Sequence, residues 1–399
     1  MEKTSSVIDR DEHLPKIAVI AFPWQAYPPY KFLSDILEIL DPLSESIILI
    51  SGNTDRVVIK SKKVEVRDIG IGLHYANEIN PRFYSLFLWG VKCFFVQILT
   101  VFELIKKRDD IEIVFFYMAY PYYIIPLITA KILKKKSIEV VTRSRPKSTP
   151  QKIISFFDPV FFCLLDTIAL ESPMLEKELN LQRFKKKLIF NAARFIDISK
   201  YRVLTKLDDR EMVIGFAGRI TKEKGIKDFV NAIPSIIKQM HIDYFLIIGK
   251  GDLLESIKQD CKEIEYKYDI KIIITGFIGE SDVPLYLNKI KLLILPTNSE
   301  EGLPTIILEA MACGTPVLTT NIGAINDVIS PGESGFFLLD NFPSTIADSS
   351  NKILSRKDLE CISNSGLRKI HETYRYEMAV ERYQLIINHA LIDLTNDTE

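Results

Sequence analysis

Two carboxylates, Glu301 and Glu309, stand eight positions apart in a stretch suited to ligand binding. Glu301 lies in a turn with Gly302 and Pro304, whereas Glu309 falls inside an apolar helical run. The apolar segment Leu292–Leu295 comes just before and predicts a buried strand. The pattern places a helix N-terminus at the carboxyl edge of a parallel sheet, where α/β proteins bind small ligands. Carboxylates there are suited to hold the hydroxyl groups of a ligand whose anionic part lies nearby.

A second group of reactive residues lies in the loop Gly215–Gly225, which follows an apolar strand and precedes a helical pattern. Arg219 can form paired hydrogen bonds with a diphosphate, and Lys224 adds a compact charge. The loop is neither a Walker motif nor a GxGxxG fingerprint, which disfavours ATP hydrolysis and dinucleotide binding. Alone, it is equally well read as a solvated basic turn. Cations for a diphosphate together with carboxylates for sugar hydroxyls favour a nucleotide-sugar site.

The size and composition of the chain indicate a two-domain globular protein. It has 399 residues, 47% of them hydrophobic and 26% charged, with a net charge of −1. Residues 1–200 hold 29 Lys and Arg against 23 Asp and Glu, an excess that favours anionic ligands. No nucleic-acid module is visible, and we expect no nucleic-acid partner.

Apolar runs rich in β-formers alternate with helical patterns, which predicts parallel sheets flanked by helices. The predicted strands are Ile17–Phe22, Ile47–Ile50, Glu112–Tyr117, Ile138–Thr142, Thr167–Leu170, Leu188–Phe190, Val213–Phe216, Tyr244–Ile248, Lys271–Thr275, Leu292–Leu295, Pro316–Thr319 and Gly335–Leu338. Two comparable series predict two Rossmann-like domains, 16–200 and 201–375, after a polar tail at 1–15. A last helix over 376–395 could cross back to the first domain.

The five cysteines, which include no CxxC pair, favour reduced thiols in the cytoplasm. The polar start of the chain does not resemble a signal peptide.

The segment Phe83–Ile105 is the one stretch that suggests a membrane, because 17 of its 23 residues are apolar. Three interpretations are open: a helix packed across the sheet, an in-plane interfacial helix, or a spanning helix. Trp89 and several phenylalanines suit the headgroup boundary of a bilayer. A spanning helix is disfavoured because Lys92 and Glu103 would lie on one side of it.

At the level of motifs, the chain resembles the retaining glycosyltransferases of family 4 (glycosyl transferases group 1). That family has the GT-B fold, two Rossmann-like domains facing a central cleft. The resemblance covers nearly all of residues 16–395 but is strong only from about 210 to 340. The matching motifs are Gly218-Arg219 with Lys224-Gly225, Thr275–Ile278, Leu295–Thr297, Glu301–Val317 and Pro331–Gly335.

The resemblance implies a role for each matched residue. Arg219 and Lys224 would bind the diphosphate of a UDP- or GDP-sugar and stabilise the leaving group, and Glu301 would contact the transferred sugar. Glu309 would accept hydrogen bonds from the ribose. The implied catalytic residues are Glu301, Arg219 and Lys224, and the implied donor-binding residues are Gly218, Arg219, Lys224, Phe277, Ile278, Glu301, Gly302, Leu303, Pro304, Thr305 and Glu309. No metal or other cofactor is expected.

The N-terminal half departs from the family pattern. The turn Phe22–Tyr30 holds no glycine, and Arg143 stands where the family often has a histidine. Arginine is a poor general base, so either the leaving phosphate takes the acceptor proton or catalysis is weakened. Arg143, Arg145 and Lys147 form a basic cluster that we expect to bind an acceptor phosphate, although a solvated loop is the simpler interpretation.

The sequence therefore predicts a cytoplasmic glycosyltransferase that serves a glycan or lipid-linked acceptor of a cell-surface polysaccharide or glycolipid. Peripheral contact with the inner face of the membrane through Phe83–Ile105 is part of this hypothesis. One alternative is a nucleotide-sugar-binding protein with weakened or lost transferase activity. A sugar phosphorylase or epimerase is another.

Overall fold

The computed structural model describes residues 13–21, 29–71, 83–117, 123–142, 158–190, 192, 194–298 and 304–392. These residues form two compact units. The first contains the described residues up to Glu171, Leu175–Arg194, and those from Ala379 onward. The second contains Ser172–Met174 and Phe195–Met378.

All twelve predicted strands are present, with described ends shifted by at most two residues. The strands are β1 Lys16–Ala21, β2 Ser46–Ser51, β3 Val64–Asp68, β4 Ile113–Tyr117, β5 Lys136–Val141, β6 Thr167–Leu170, β7 Leu188–Phe190, β8 Val213–Ala217, β9 Tyr244–Ile248, β10 Lys271–Gly276, β11 Leu292–Leu295, β12 Val317–Thr320 and β13 Phe336–Leu338. Pro316 immediately precedes its strand, which begins at Val317.

Each unit is built on one parallel sheet. In the first unit the strand order is β3-β2-β1-β4-β5-β6-β7, and in the second it is β10-β9-β8-β11-β12-β13. Both orders reverse beside the first strand of the unit, between β1 and β4 and between β8 and β11. Ligands of open α/β sheets bind at such switch points, outside the carboxyl ends of the strands. Together with the helices below, the sheets give a two-domain α/β architecture.

The α-helices of the described residues lie in connections between strands, except for the last three, which follow β13. They are α1 Pro29–Leu40, α2 Phe83–Lys106, α3 Ile124–Ile132, α4 Asp158–Leu164, α5 Met174–Glu178, α6 Ile226–Ile237, α7 Leu254–Tyr268, α8 Val283–Leu287, α9 Thr305–Ala312, α10 Ile325–Val328, α11 Pro343–Leu354, α12 Leu359–Thr373 and α13 Tyr376–Leu391. The residues of α13 from Ala379 onward group with the first unit. There the Tyr383 hydroxyl donates to the carbonyl oxygen of Ala192 at 3.2 Å.

Strand β3 was not predicted, and its sequence explains why. The strand reads Val64-Glu65-Val66-Arg67-Asp68, and each of these residues is exposed or half-buried. It lies at the edge of the first sheet, where only one side pairs with a neighbour. An edge strand can carry charged side chains, which also discourage further pairing. The central strands, by contrast, are continuous apolar runs such as Ile17–Ile20, buried completely.

Candidate functional site

The loop after β8 is fixed to its neighbours in the second unit by main-chain hydrogen bonds. The N–H of Gly218 donates to the carbonyl oxygen of Ile248 at 3.0 Å, and the N–H of Ile220 donates to the carbonyl oxygen of Lys250 at 2.9 Å. Gly249 adopts a φ of 141°, and a Cβ there would lie 1.8 Å from the carbonyl oxygen of Gly218. The carboxyl ends of β8 and β9 are therefore held in close contact.

Gly225 lets the same loop approach the next strand of the sheet. Its φ of 71° is left-handed, and a Cβ would lie 1.8 Å from the carbonyl oxygen of Pro296. Only glycine fits this backbone and this contact. The preceding Lys224 is buried, with 7% of its surface exposed. The Arg219 side chain is 60% exposed. The loop thus presents one buried and one accessible cation.

The segment after β11 is tied to this cationic loop. Thr297 Oγ1 donates to the carbonyl of Glu223 at 3.0 Å, and the N–H of Asn298 donates to the same oxygen at 2.7 Å. The Asn298 amide also donates to Asp228 Oδ2 at 2.7 Å. These bonds hold Thr297 and Asn298, just after β11, against Glu223, the residue before Lys224.

Helix α9 supplies the second predicted carboxylate. Pro304 occupies the N-cap position, and Thr305 is the first helical residue. Glu309 lies one turn further and is 9% exposed. Burial, followed by the negative charge of Glu309, raises the pKa of Tyr201. Glu309 and Tyr201 therefore lie near each other beneath the surface of the second unit.

Arg210, which the sequence analysis missed, fixes the other end of α9. This buried side chain donates from Nη2 to the carbonyl oxygen of Cys313 at 2.7 Å and from Nη1 to the carbonyl oxygen of Ile290 at 2.9 Å. Nη1 also donates to Thr315 Oγ1 at 2.8 Å. Burial lowers the pKa of Arg210 to about 10. Its acceptors come from separate segments, so no local motif signals this role.

Phe277 and Ile278 follow β10 at the same edge of the sheet. Phe277 is 64% exposed, and the Lys250 ammonium lies 4.6 Å from its ring centroid. An exposed aromatic face beside a cation is suited to stack on a planar base. Lys250 was missed as a candidate because it stands alone after β9, without a second charge in its own loop.

In the second unit, loops that follow the carboxyl ends of β8 and β10 carry Gly218, Arg219, Lys224, Phe277 and Ile278, and the helix after β11 carries Thr305 and Glu309, with Pro304 at its N-cap. Glu301, Gly302 and Leu303 lie outside the described residues, and so do Arg143, Arg145 and Lys147. Their roles, and those of the residues above, stay predictions. Across the described ranges no group of three His, Cys, Asp or Glu side chains is placed to hold a metal ion.

The carboxyl edge of the first sheet holds a different set of charges. Arg194 Nε lies 3.9 Å from Glu171 Oε1, and these side chains are only 12% and 4% exposed. The guanidinium of Arg194 lies 3.5 Å from the ring centroid of Phe32. Burial raises the pKa of Glu171 to about 7, against the opposing effect of Arg194. Beside them, the buried Tyr117 hydroxyl has no hydrogen-bond partner among the described residues.

Comparisons with known proteins support a glycosyltransferase. Residues 197–366 match the family model described as glycosyl transferases group 1. The chain is 24% identical to the N-acetyl-alpha-D-glucosaminyl L-malate synthase of Bacillus anthracis, over 81% of this chain and 86% of that protein. It is 25% identical to the capsular polysaccharide biosynthesis glycosyltransferase CapM of Staphylococcus aureus, over 57% and 62%. The match to CapM therefore spans less than two thirds of that relative.

Solved structures confirm the fold. The crystal structure of HepE from Anabaena in complex with UDP superimposes with a TM-score of 0.71, covering 94% of this chain and 99% of that one, at 12% identity. A glycosyltransferase from Rickettsia africae also gives 0.71, at 17% identity, covering 95% and 99%. These similarities bear on architecture, and the predicted GT-B fold is correct.

Proposed function

We propose that this chain is a retaining glycosyltransferase of family 4, which moves a sugar from a nucleotide-sugar donor to a glycan or lipid-linked acceptor. One observation carries the proposal: Arg219 and Lys224 lie on a loop bonded to the segment after β11, at the switch point of the unit that matches the family model. The polysaccharide role of CapM supports synthesis of a cell-surface polysaccharide or glycolipid.

The donor is held in this proposal by groups of opposite character. Arg219 and Lys224 bind the diphosphate, and Glu309 accepts hydrogen bonds from the ribose. The exposed face of Phe277, with the backbone of Ile278, meets the base. Glu301 contacts the transferred sugar. UDP bound to HepE supports a uridine donor, with a GDP-sugar as the other candidate.

Transfer needs stabilisation of the negative charge that builds on the departing diphosphate. Lys224 is positioned for this because it is buried, and a charge in a water-poor site acts more strongly than one in water. The two cations then perform the electrostatic task without a metal ion. The departing phosphate oxygen accepts the proton of the acceptor hydroxyl, so that no protein base is required. Arg143, Arg145 and Lys147 bind an acceptor phosphate.

The proposal also places the protein in the cytoplasm. All five cysteines are free, including the exposed Cys163 and Cys361. Thiols kept unpaired are typical of a reducing compartment.

The donor is tested with a panel of UDP-, GDP- and ADP-sugars, scored by thermal stabilisation and by nucleotide release with and without membrane extract. We expect one nucleotide to raise the melting temperature and to be released only when an acceptor is present. Stabilisation without any turnover would favour the alternative of a nucleotide-sugar-binding protein. Release of a sugar 1-phosphate on addition of inorganic phosphate would favour a phosphorylase.

The cationic loop is tested by Lys224→Ala, with Lys222→Ala as the matched control. Lys222 lies on the same loop but is exposed. Loss of one charge at the leaving group should lower kcat/KM by roughly a hundredfold or more. The control should stay within about twofold. Equal kinetics in the two variants would contradict the assignment of the diphosphate site.

A further inference from the structure

Helix α2 of the first unit has two apolar faces, and only one of them is used in the core. The inner face is the stripe Cys93, Val96, Thr100 and Leu104, with 7% exposure or less at each position. These residues recur at intervals of three and four, as one side of a helix does. They belong, apart from Thr100, to the hydrophobic core of the first unit. The helix therefore lies along the domain.

The outer face of α2 is apolar and open to solvent. It consists of Phe87 (61% exposed), Leu88 (41%), Phe94 (52%), Phe95 (54%), Phe102 (64%) and Ile105 (44%). At 100° per residue these positions lie opposite the inner stripe. Single exposed apolar side chains are ordinary, whereas six on one helix face, four of them phenylalanine, mark an interaction surface.

Helix α3 extends this surface. The side-chain oxygen of Gln97 on α2 accepts a hydrogen bond from the N–H of Ile125 at 3.1 Å, which fixes the two helices side by side. On α3, Ile128 and Ile132 are 41% and 74% exposed. The outer face of α2 and these two isoleucines are called the α2–α3 surface below.

The charges around the α2–α3 surface favour an anionic partner. Lys92 is exposed, and Lys106 at the end of α2 is 63% exposed and lies 3.9 Å from Glu103. Arg108, just beyond the helix, lies 3.7 Å from the exposed Asp109, which offsets its charge. Glu103, the one carboxylate on α2, is 25% exposed and lies 3.8 Å from the guanidinium of Arg67. Phenylalanines flanked by lysines are the composition of helices that lie in the interface of an anionic bilayer.

By length and composition alone, Phe87–Lys106 could also cross a membrane. The inner stripe argues against this, because a spanning helix would have to withdraw it from the core of the first unit. A helix bound in the plane of the interface keeps that packing and buries only its outer face.

We propose that the α2–α3 surface docks on the interface of a bilayer that contains anionic lipids. The phenylalanines enter the boundary between headgroups and acyl chains, and Lys92 and Lys106 contact the phosphates. Binding depends on the first unit alone, so it is independent of the donor chemistry proposed for the second.

The test is co-flotation of the full chain with vesicles of phosphatidylcholine, alone or with 30% phosphatidylglycerol. We expect the protein to float with the anionic vesicles and to be released at high salt, because surface charge is screened. Phe94→Ser combined with Phe102→Ser should lower the bound fraction at least about tenfold. The matched control is Tyr266→Ser with Leu385→Ser, which removes two side chains that are 95% and 64% exposed elsewhere.

Thermal stabilisation by the nucleotide separates this proposal from the glycosyltransferase assignment. The Phe94→Ser, Phe102→Ser variant should keep it unchanged, because both substitutions lie in the first unit. A far-UV circular dichroism spectrum equal to that of the wild type shows that the first unit of the variant is folded. Flotation of the variant equal to that of the wild type would overturn the α2–α3 surface as the docking site. So would a dimer, measured by light scattering, that forms without lipid and is lost in the variant, because the occupant would then be a second copy of the chain.

Discussion

The carboxyl edges of the two sheets have related strand orders but differ in how their charged side chains are placed. In the second unit the loops after β8, β9 and β11 are bonded to one another, and Arg219 remains accessible. In the first unit Arg194 and Glu171 are buried together under Phe32. The edge in the second unit is therefore arranged to bind an anion, whereas the charges described at the edge in the first unit are buried. The difference lies in a few side chains at the strand ends, because the strands themselves are equivalent.

The largest expected effect tests how tightly the loops of the second unit are packed. Gly225→Ala places a Cβ against the Pro296 carbonyl oxygen at a left-handed φ. It should lower the free energy of unfolding of the second unit by about 3 kcal/mol or more, measured by urea denaturation. Gly70→Ala in the first unit is the matched control, because Gly70 has a φ of 69° but nothing within 4 Å of the added atom. It should cost only about 1 kcal/mol. Equal losses would show that the two edges are packed alike.

The next effect concerns the buried pair of the first unit. The pKa of Glu171 is raised from 4.5 to about 7, so the folded state binds its proton more tightly than the unfolded state. The resulting stability is fully present below pH 4.5 and is lost as the pH rises through about 7, a change of roughly 3 kcal/mol. Among the described residues, Arg194, Tyr117 and Tyr383 are titratable groups that interact with it.

The variant Glu171→Gln should remove this pH dependence of the free energy of unfolding, because glutamine keeps the shape of the protonated acid without titrating. Urea unfolding at pH 5, 7 and 8.5 measures it. Asp109→Asn, at a side chain that is 92% exposed, is the control and should keep the wild-type slope. A wild-type protein whose stability is flat between pH 5 and 8.5 would contradict the raised pKa.

The smallest effect tests the exposed aromatic of the second unit. Phe277→Ala removes the ring next to the Lys250 ammonium and should raise the donor KM about tenfold, with kcat unchanged. Phe342→Ala, at a ring that is 68% exposed, should change neither constant. A donor KM unmoved by Phe277→Ala would remove base stacking from the proposed site.

Much of the fold was predictable because its signals are local. Continuous apolar runs such as Leu292–Leu295 identify buried strands, and the order of strands and helices implies two parallel sheets. Strand β3 was missed because an edge strand needs little apolar character. For the candidate site, charge and spacing in the sequence were enough to propose Arg219, Lys224 and Glu309. Lys250 and Arg210 were not proposed. Lys250, which follows β9, lies against the ring of Phe277, which follows β10. Arg210 donates to main-chain carbonyls of distant segments.

The sequence by itself determined the two-domain α/β class, the cations of the β8 loop and the apolar nature of Phe83–Ile105. These properties follow from the periodicity and chemistry of residues that are close in the chain. Only the tertiary structure decided that Gly225 touches Pro296, that Arg194 lies 3.9 Å from Glu171, and that one face of α2 is buried while the other is exposed. Such contacts join segments that are far apart in sequence. Burial shifts pKa values and decides which surfaces stay exposed, and it arises only when those segments pack together.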